Sequence, residues 1–216
     1  ENAENGIRQE AMLAGVITGN AADESWAIPT RSVDFFDLKG DVEALLELTA
    51  NSDAYRFVRC EHPALHPGQS AAIEFNGKSV GYIGVVHPSL EKKLGLKSKA
   101  IVFELELAAI LQRNIPLFAE VSKFPGNRRD LAIVVDQAIS ADDVLRLARK
   151  VGGNQVVGIN LFDTYQGTGV PDGKKSLAFS LVLQNVERTL EDKEIAETMD
   201  RVVDALRAEF NATLRD

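Results

Sequence analysis

A single cysteine, Cys60, stands in 216 residues. That excludes an internal disulfide framework and fits a reducing compartment. With only three histidines beside it (His62, His66 and His87), no Cys-rich zinc site can be assembled. No apolar run approaches the ~18 residues that suggest a membrane span. The first residues, Glu1-Asn2-Ala3-Glu4, lack the basic and apolar regions of a signal peptide. A cytoplasmic protein is expected. Neither a P-loop nor a G-x-G-x-x-G is present, which removes two phosphate-cradling signatures. Cations are in the minority, 24 Lys+Arg against 32 Asp+Glu, for a net charge of −8. Bulk charge therefore does not suit a protein that coats nucleic acid. A local basic site remains open.

What is present is an ordinary globular composition, 45% apolar and 26% charged. The length allows one large domain or two small ones. Charge divides unevenly about Ser122. Residues 1–122 hold 11 of the Lys+Arg and 17 of the Asp+Glu, a net of −6, and the remainder carries −2. The near-neutral part contains two adjacent basic pairs beside strand patterns, Arg128-Arg129 and Lys174-Lys175. A solvated surface is the plain alternative for them.

In the first part, residues 12–17 read as a buried strand. Asp34 and Asp37 read as the start of a helix that puts Phe35, Leu38, Val42, Leu45 and Leu46 on one face. Gly40 inside it costs about 1 kcal/mol relative to alanine, so a close packing contact is expected there. Residues 55–60 read as a strand. Asn76-Gly77 between alternating runs is the type I′ hairpin signature. It pairs Phe75 with Lys78 and Ile73 with Val80, and puts Ala71, Ile73, Phe75, Val80 and Tyr82 on one face. Gly81 and Gly84 predict close approach of another backbone. A short helix over 88–94 and a strand over 100–107 follow. His66 and His87 each precede a proline, so turn geometry is their first explanation. Cys60 lies in an apolar strand and reads as buried and inert. No spacing here carries chemistry by itself.

The second part opens at the turn Phe124-Pro125-Gly126. Residues 131–135 form a strand. Ser140 with Asp143 starts a helix of Val144, Leu145, Ala148 and Val151, ended by Gly152-Gly153. Val157, Ile159 and Leu161 alternate in a second strand that runs to Tyr165. Leu177, Phe179, Leu181 and Leu183 alternate in a third. Thr189 caps a last helix with the stripe Ile195, Met199, Val202, Val203, Leu206 and Phe210, and 212–214 is a candidate fourth strand. The order βαββαβ is ferredoxin-like, with two helices on one face of the sheet. The opposite face of the third strand reads Ser176, Ala178, Ser180 and Gln184, with Val182 the apolar exception. It suits a binding platform, or packing on another domain or subunit. An RNA-recognition-motif signature fails here, because Ser176, Leu177 and Val182 stand where its glycine and aromatics belong.

These stretches together resemble the C-terminal part of the bacterial phenylalanyl-tRNA synthetase β subunit. The resemblance is carried by Leu13-Ala14-Gly15, Asp34-Phe35-Phe36-Asp37-Leu38-Lys39-Gly40, His66-Pro67-Gly68-Gln69-Ser70-Ala71 and Gly81-Tyr82-Ile83-Gly84-Val85-Val86-His87-Pro88. Further on it is carried by Pro125, Arg128-Arg129-Asp130-Leu131-Ala132, Gly173-Lys174-Lys175-Ser176-Leu177-Ala178 and Arg188-Thr189-Leu190. It implies an α+β chain. Residues 1–117 would end a non-catalytic class II synthetase-like module with an antiparallel sheet, 118–122 would link, and 123–216 would be a ferredoxin-fold anticodon-binding domain. It further implies a fragment without the N-terminal tRNA-binding and editing domains. The partners implied are tRNA(Phe) and the catalytic α subunit of an α2β2 ligase, with no DNA and no membrane. The complete enzyme uses ATP and Mg²⁺, but no cofactor or metal is expected on this fragment.

On that reading Arg128, Arg129, Lys174, Lys175 and Arg188 are the candidate cationic contacts to RNA and Tyr165 the candidate stacking residue. Each has a structural alternative. Arg128 or Arg129 would pair with Asp130 or Asp163, and Arg188 would brace the last helix. The competing function is a pure assembly module. A stand-alone enzyme using His66 or His87 ranks last. The apolar hairpin and helix faces of the first part are expected to bury against absent partners.

Overall fold

The computed structural model describes residues 9–116, 118 and 120–215. The chain divides into two compact units, residues 1–117 and 118–216. Each has an antiparallel sheet and a core of its own, so the chain is α+β.

The first unit runs β1 (Met12–Thr18), α1 (Phe35–Glu47), β2 (Tyr55–Arg59), β3 (Leu65–Phe75), β4 (Lys78–Val86), α2 (Pro88–Leu94), β5 (Ala100–Glu106) and α3 (Leu107–Ile110). The five strands lie in the order β1-β5-β4-β3-β2. The apolar stripe of α1 buries Leu38, Val42 and Leu46 in one cluster with Ile73, Ile83, Ile101 and Leu105 from the sheet.

The hairpin turn is as the sequence predicts. Asn76 and Gly77 both take positive φ, 50° and 79°, and Phe75 stands opposite Lys78. The register beyond it differs. Ile73 pairs with Gly81, because a bulge intervenes and leaves Val80 as the extra residue. One inserted residue reverses the facing of everything after it. Ile83 and Val85 therefore enter the core, while Tyr82 is turned to the opposite face. Gly81 and Gly84 sit where backbones meet. A Cβ on Gly81 would lie 2.2 Å from the Glu104 carbonyl oxygen, and one on Gly84 would lie 2.8 Å from that of Gln69. Gly40 is the opposite case: nothing lies within 4 Å of its would-be Cβ. The expected packing contact is absent, and the helix simply tolerates the glycine.

The second unit runs β6 (Asn127–Asp136), α4 (Ala141–Gly152), β7 (Val156–Tyr165), β8 (Lys174–Leu183), α5 (Asp192–Phe210) and β9 (Thr213–Leu214). The strands are ordered β7-β8-β6-β9, the ferredoxin-like arrangement. In the central strand β8, Leu177, Phe179, Leu181 and Leu183 are each at most 1% exposed. They share one cluster with Val144 and Ala148 of α4 and with Ile195, Val202 and Leu206 of α5. Two details differ from expectation. A bulge near the start of β7 puts Val156 in the core and leaves Val157 exposed. The last helix is capped by Glu191 rather than Thr189, two residues later than the pattern suggests.

Both long helices start by the same device. In α1 the Asp34 carboxylate accepts from the backbone N–H of Phe36 and Asp37, and Asp37 accepts from the N–H of Asp34 at 2.8 Å. Arg31, six residues before Asp37, grips that carboxylate with both terminal nitrogens at 2.7 and 2.6 Å. In α5 Glu194 accepts from the N–H of Glu191 at 3.0 Å, and Arg188 grips it at 2.7 and 2.6 Å. Each reciprocal box satisfies N–H groups that a helix start leaves unpaired. The guanidinium bonds, with the backbone N–H, hold the Asp37 and Glu194 carboxyls down at about 2.

These features generate two predictions. Gly81→Ala should destabilise the first unit by about 1–3 kcal/mol or more, while Gly40→Ala should stabilise it by about 0.4–1 kcal/mol. Urea unfolding checks both. A carboxylate with a depressed folded-state pKa stabilises above its ordinary pKa and loses that contribution as pH falls toward the depressed value. Glu194→Gln and Asp37→Asn should therefore lower Tm at pH 7. The difference from wild type should shrink as the pH drops from about 5 to about 2. A Tm difference independent of pH would mean that the clamps are not electrostatic.

Candidate nucleic-acid interface

The helices cover one face of the second sheet, and the alternation of β8 decides what the other face presents. Lys174, Ser176, Ala178, Ser180 and Val182 point away from the helices. Beside them on β6 stand Asp136, Val134, Ala132, Asp130 and Arg128. On β7 stand Tyr165, Asp163, Asn160 and Gly158. The middle of this face is a floor of small side chains, rimmed by longer ones.

At one end the backbone N–H of Arg215 donates to the Ala132 carbonyl at 3.0 Å, next to β9. Its guanidinium carbon lies 4.8 Å from the centre of the Tyr165 ring. The Tyr165 hydroxyl donates to the Thr168 carbonyl at 3.2 Å, tying the ring to the β7–β8 loop. Tyr165 as a whole remains 37% exposed. Towards the other end a bulge between Leu161 and Asp163 leaves Phe162 unpaired in the ladder. The Arg128 guanidinium lies 5.7 Å from the Phe162 ring centre. Arg128 Nε also donates to Asp130 at 2.8 Å. The face thus carries two cation–aromatic pairs, each attractive by about 0.5–1 kcal/mol at an exposed site.

The candidate residues separate on this geometry. Arg128, Tyr165 and Lys174 stand on the open face. The Lys174 ammonium has no hydrogen-bond or ion-pair partner among the described residues. Lys175 is on the helix side of β8, where its ammonium donates to the Gln137 carbonyl at 3.2 Å. Burial lowers its pKa, with Asp136 opposing. Arg129 also faces the helix side, 3.9 Å from Asp192 at the start of α5. Arg188 is committed to Glu194. So the pairs Arg128-Arg129 and Lys174-Lys175 each split between the two faces, as alternation requires. Two open-face residues, Arg215 and Phe162, were missed. Arg215 belongs to no motif. Phe162 breaks the alternation after Leu161, and an adjacent apolar pair in an otherwise alternating strand is the signal that could have found it.

The histidines of the first unit have local work. His66 Nδ1 accepts from the Gly68 N–H at 3.1 Å. His87 caps α2 by accepting from the Ser89 N–H at 3.2 Å. The His62 ring packs at a 42° tilt against Tyr82, centres 4.9 Å apart. Burial pushes the Cys60 thiol up, away from the reactive thiolate. Among the described residues no group of three or more His, Cys, Asp or Glu could hold a metal ion. No described helix is long and apolar enough to cross a membrane.

The apolar faces of α1 and of the hairpin bury within the unit's own core, contrary to the expectation that they await partners. What is exposed lies elsewhere: Trp26 fully, Val16 at 63% and Phe36 at 73%. A cavity of ≈ 470 Å³ on the sheet face away from α1 is lined by Ala14, Val16, His62, Tyr82, Val102 and Glu104, among others.

Fold and face together define the class: residues 122–215 match the ferredoxin-fold anticodon binding domain, and residues 1–107 match the CLM domain of the phenylalanyl tRNA synthetase beta chain. Phenylalanine–tRNA ligase β subunits of Shewanella oneidensis, Aliivibrio fischeri and Colwellia psychrerythraea are 60%, 57% and 53% identical to this chain. In each case the alignment covers 100% of the chain and 27% of the relative's length. The chain belongs to the phenylalanyl-tRNA synthetase β-chain family.

Proposed function

We propose that the second unit binds the anticodon region of tRNA(Phe) on its open sheet face, and that the first unit supports assembly with a catalytic α subunit. Aminoacylation with ATP and Mg²⁺ then belongs to the assembled ligase, and the residues of this chain contribute binding and positioning. The observation that carries the reading is the Arg215–Tyr165 pair above a floor of small side chains. An aromatic ring with a guanidinium over it is a surface on which an unpaired base stacks. Ser176, only 3% exposed, and Ala178 form the low floor beneath it. Asp163 and Asn160 offer acceptors and a donor to base edges. Lys174 is free to meet a phosphate, which positions the RNA without reading it. For the first unit, the exposure of Trp26 and Val16 supports a protein-facing surface.

Filter binding of the 216-residue chain to tRNA(Phe) transcript at low salt tests this reading. Tyr165→Ala should weaken binding about 5- to 150-fold, the ~1–3 kcal/mol of one base stack, and Tyr165→Phe should largely keep it. Lys174→Ala should weaken binding modestly and reduce the salt slope by about one, whereas Lys175→Ala should do neither. A chain that captures the α subunit yet shows no preference for tRNA(Phe) would leave assembly as its whole role.

A further inference from the structure

We infer that the open face holds two unpaired nucleotides rather than one, the second on Arg128 and Phe162. This inference rests on the reading of the face as an RNA interface. Phe162 is 49% exposed. A half-exposed phenyl ring contributes little to the core, and here a bulge in β7 brings it to the same face as Arg128. Bulges commonly re-aim a side chain where a strand serves a site.

The partner of the ring also argues for a base. Arg128 meets Asp130 through Nε at 2.8 Å and through Nη2 at 3.5 Å. Two contacts from one carboxylate hold the guanidinium plane in place and offset its charge. A guanidinium so paired is a poor phosphate ligand, but its flat face still stacks. The neighbouring positions leave space above the sheet. Gly158 adds no side chain there, and Val182 lies where its Cβ would make ordinary contact, at 3.5 Å, so the surface beside Phe162 stays low.

The two platforms cannot serve one pair of mutually stacked bases. Tyr165 lies opposite Ser176, and the bulged Phe162 lies between the partners of Ala178 and Phe179, so the two are two to three strand steps apart, ~7–10 Å. Successive stacked nucleotides are only ~3.4 Å apart along the helix axis. Bases on both platforms must be splayed, with Asp163 and the serine floor between them. A single-stranded loop can adopt that arrangement and a duplex cannot.

The test uses the full chain and a hairpin RNA of the tRNA(Phe) anticodon stem and loop, with 2-aminopurine at one loop position at a time. Stacking quenches this fluorophore. In the wild-type chain, quenching is expected at two separate loop positions. Phe162→Ala should restore fluorescence at one of them and weaken binding about 5-fold or more. Tyr165→Ala should restore it at the other. Phe162→Trp should retain both quenching and affinity, and a Tm measured on each variant separates lost stacking from lost fold. If Tyr165→Ala relieves quenching but Phe162→Ala changes neither affinity nor fluorescence, the second platform is wrong and the RNA interface stands. If both variants relieve the same position, there is one platform only. If neither variant alters binding of the hairpin, the RNA reading of the face fails, and the second platform with it.

Discussion

The second unit depends on one constraint: β8 is the central strand, and its odd-numbered residues are locked under two helices. Leu177, Phe179, Leu181 and Leu183 leave no freedom of register, because a slip by one residue would carry four large apolar side chains into water. That lock settles the even-numbered residues too. Ser176, Ala178 and Ser180 are held on the opposite face as a low floor, and the strands on either side are aligned to it. The open face is thus a by-product of core packing, and its precision is inherited from the core. A recognition surface built on strands gains a rigidity that loops cannot supply.

Much of this was legible in the sequence because the relevant signals have short periods. Alternation revealed β8 and its two faces. The 3.6-residue stripe revealed α1 and α5, and Asn76-Gly77 revealed the hairpin turn. What stayed hidden has one recurrent cause. Bulges at Val80, near Val156 and at Phe162 each insert one residue, and only a break in alternation such as Leu161-Phe162 hints at them. Each reverses or re-aims the side chains around it. Tyr82 was expected on the face of Ile73 and Val80 and lies on the opposite one; Val157 was expected to alternate with Ile159 and Leu161 and is instead an exposed bulge residue. Arg215 was invisible for a different reason. Its place comes from the pairing of β9 with β6, a contact between distant parts of the unit; residues 212–214 suggest the strand, but nothing in the sequence says that the residue after it reaches Tyr165.

The candidate cations show why charge in a sequence is a weak guide to a charged surface. Arg188, Arg129, Lys175 and Arg128 all have intrachain partners, and adjacency in sequence puts two of them on the helix side of the sheet. The face that remains is nearly neutral and rich in ring and guanidinium planes. Such a face offers shape and stacking planes more than attraction at a distance, which accords with the acidic balance of the chain.

The paired clamps at the starts of α1 and α5 have a consequence for how the chain comes together. The costly step in making a helix is its first turn, which fixes several backbone dihedrals for one hydrogen bond. Arg31 with Asp37, and Arg188 with Glu194, close loops of only six residues across that turn. Short loops cost little chain entropy to close. Each unit therefore carries a local nucleus at the head of its main helix, able to form before any strand has found its distant neighbour. The sheets of this chain, with their long-range pairings, are the slow part of its assembly.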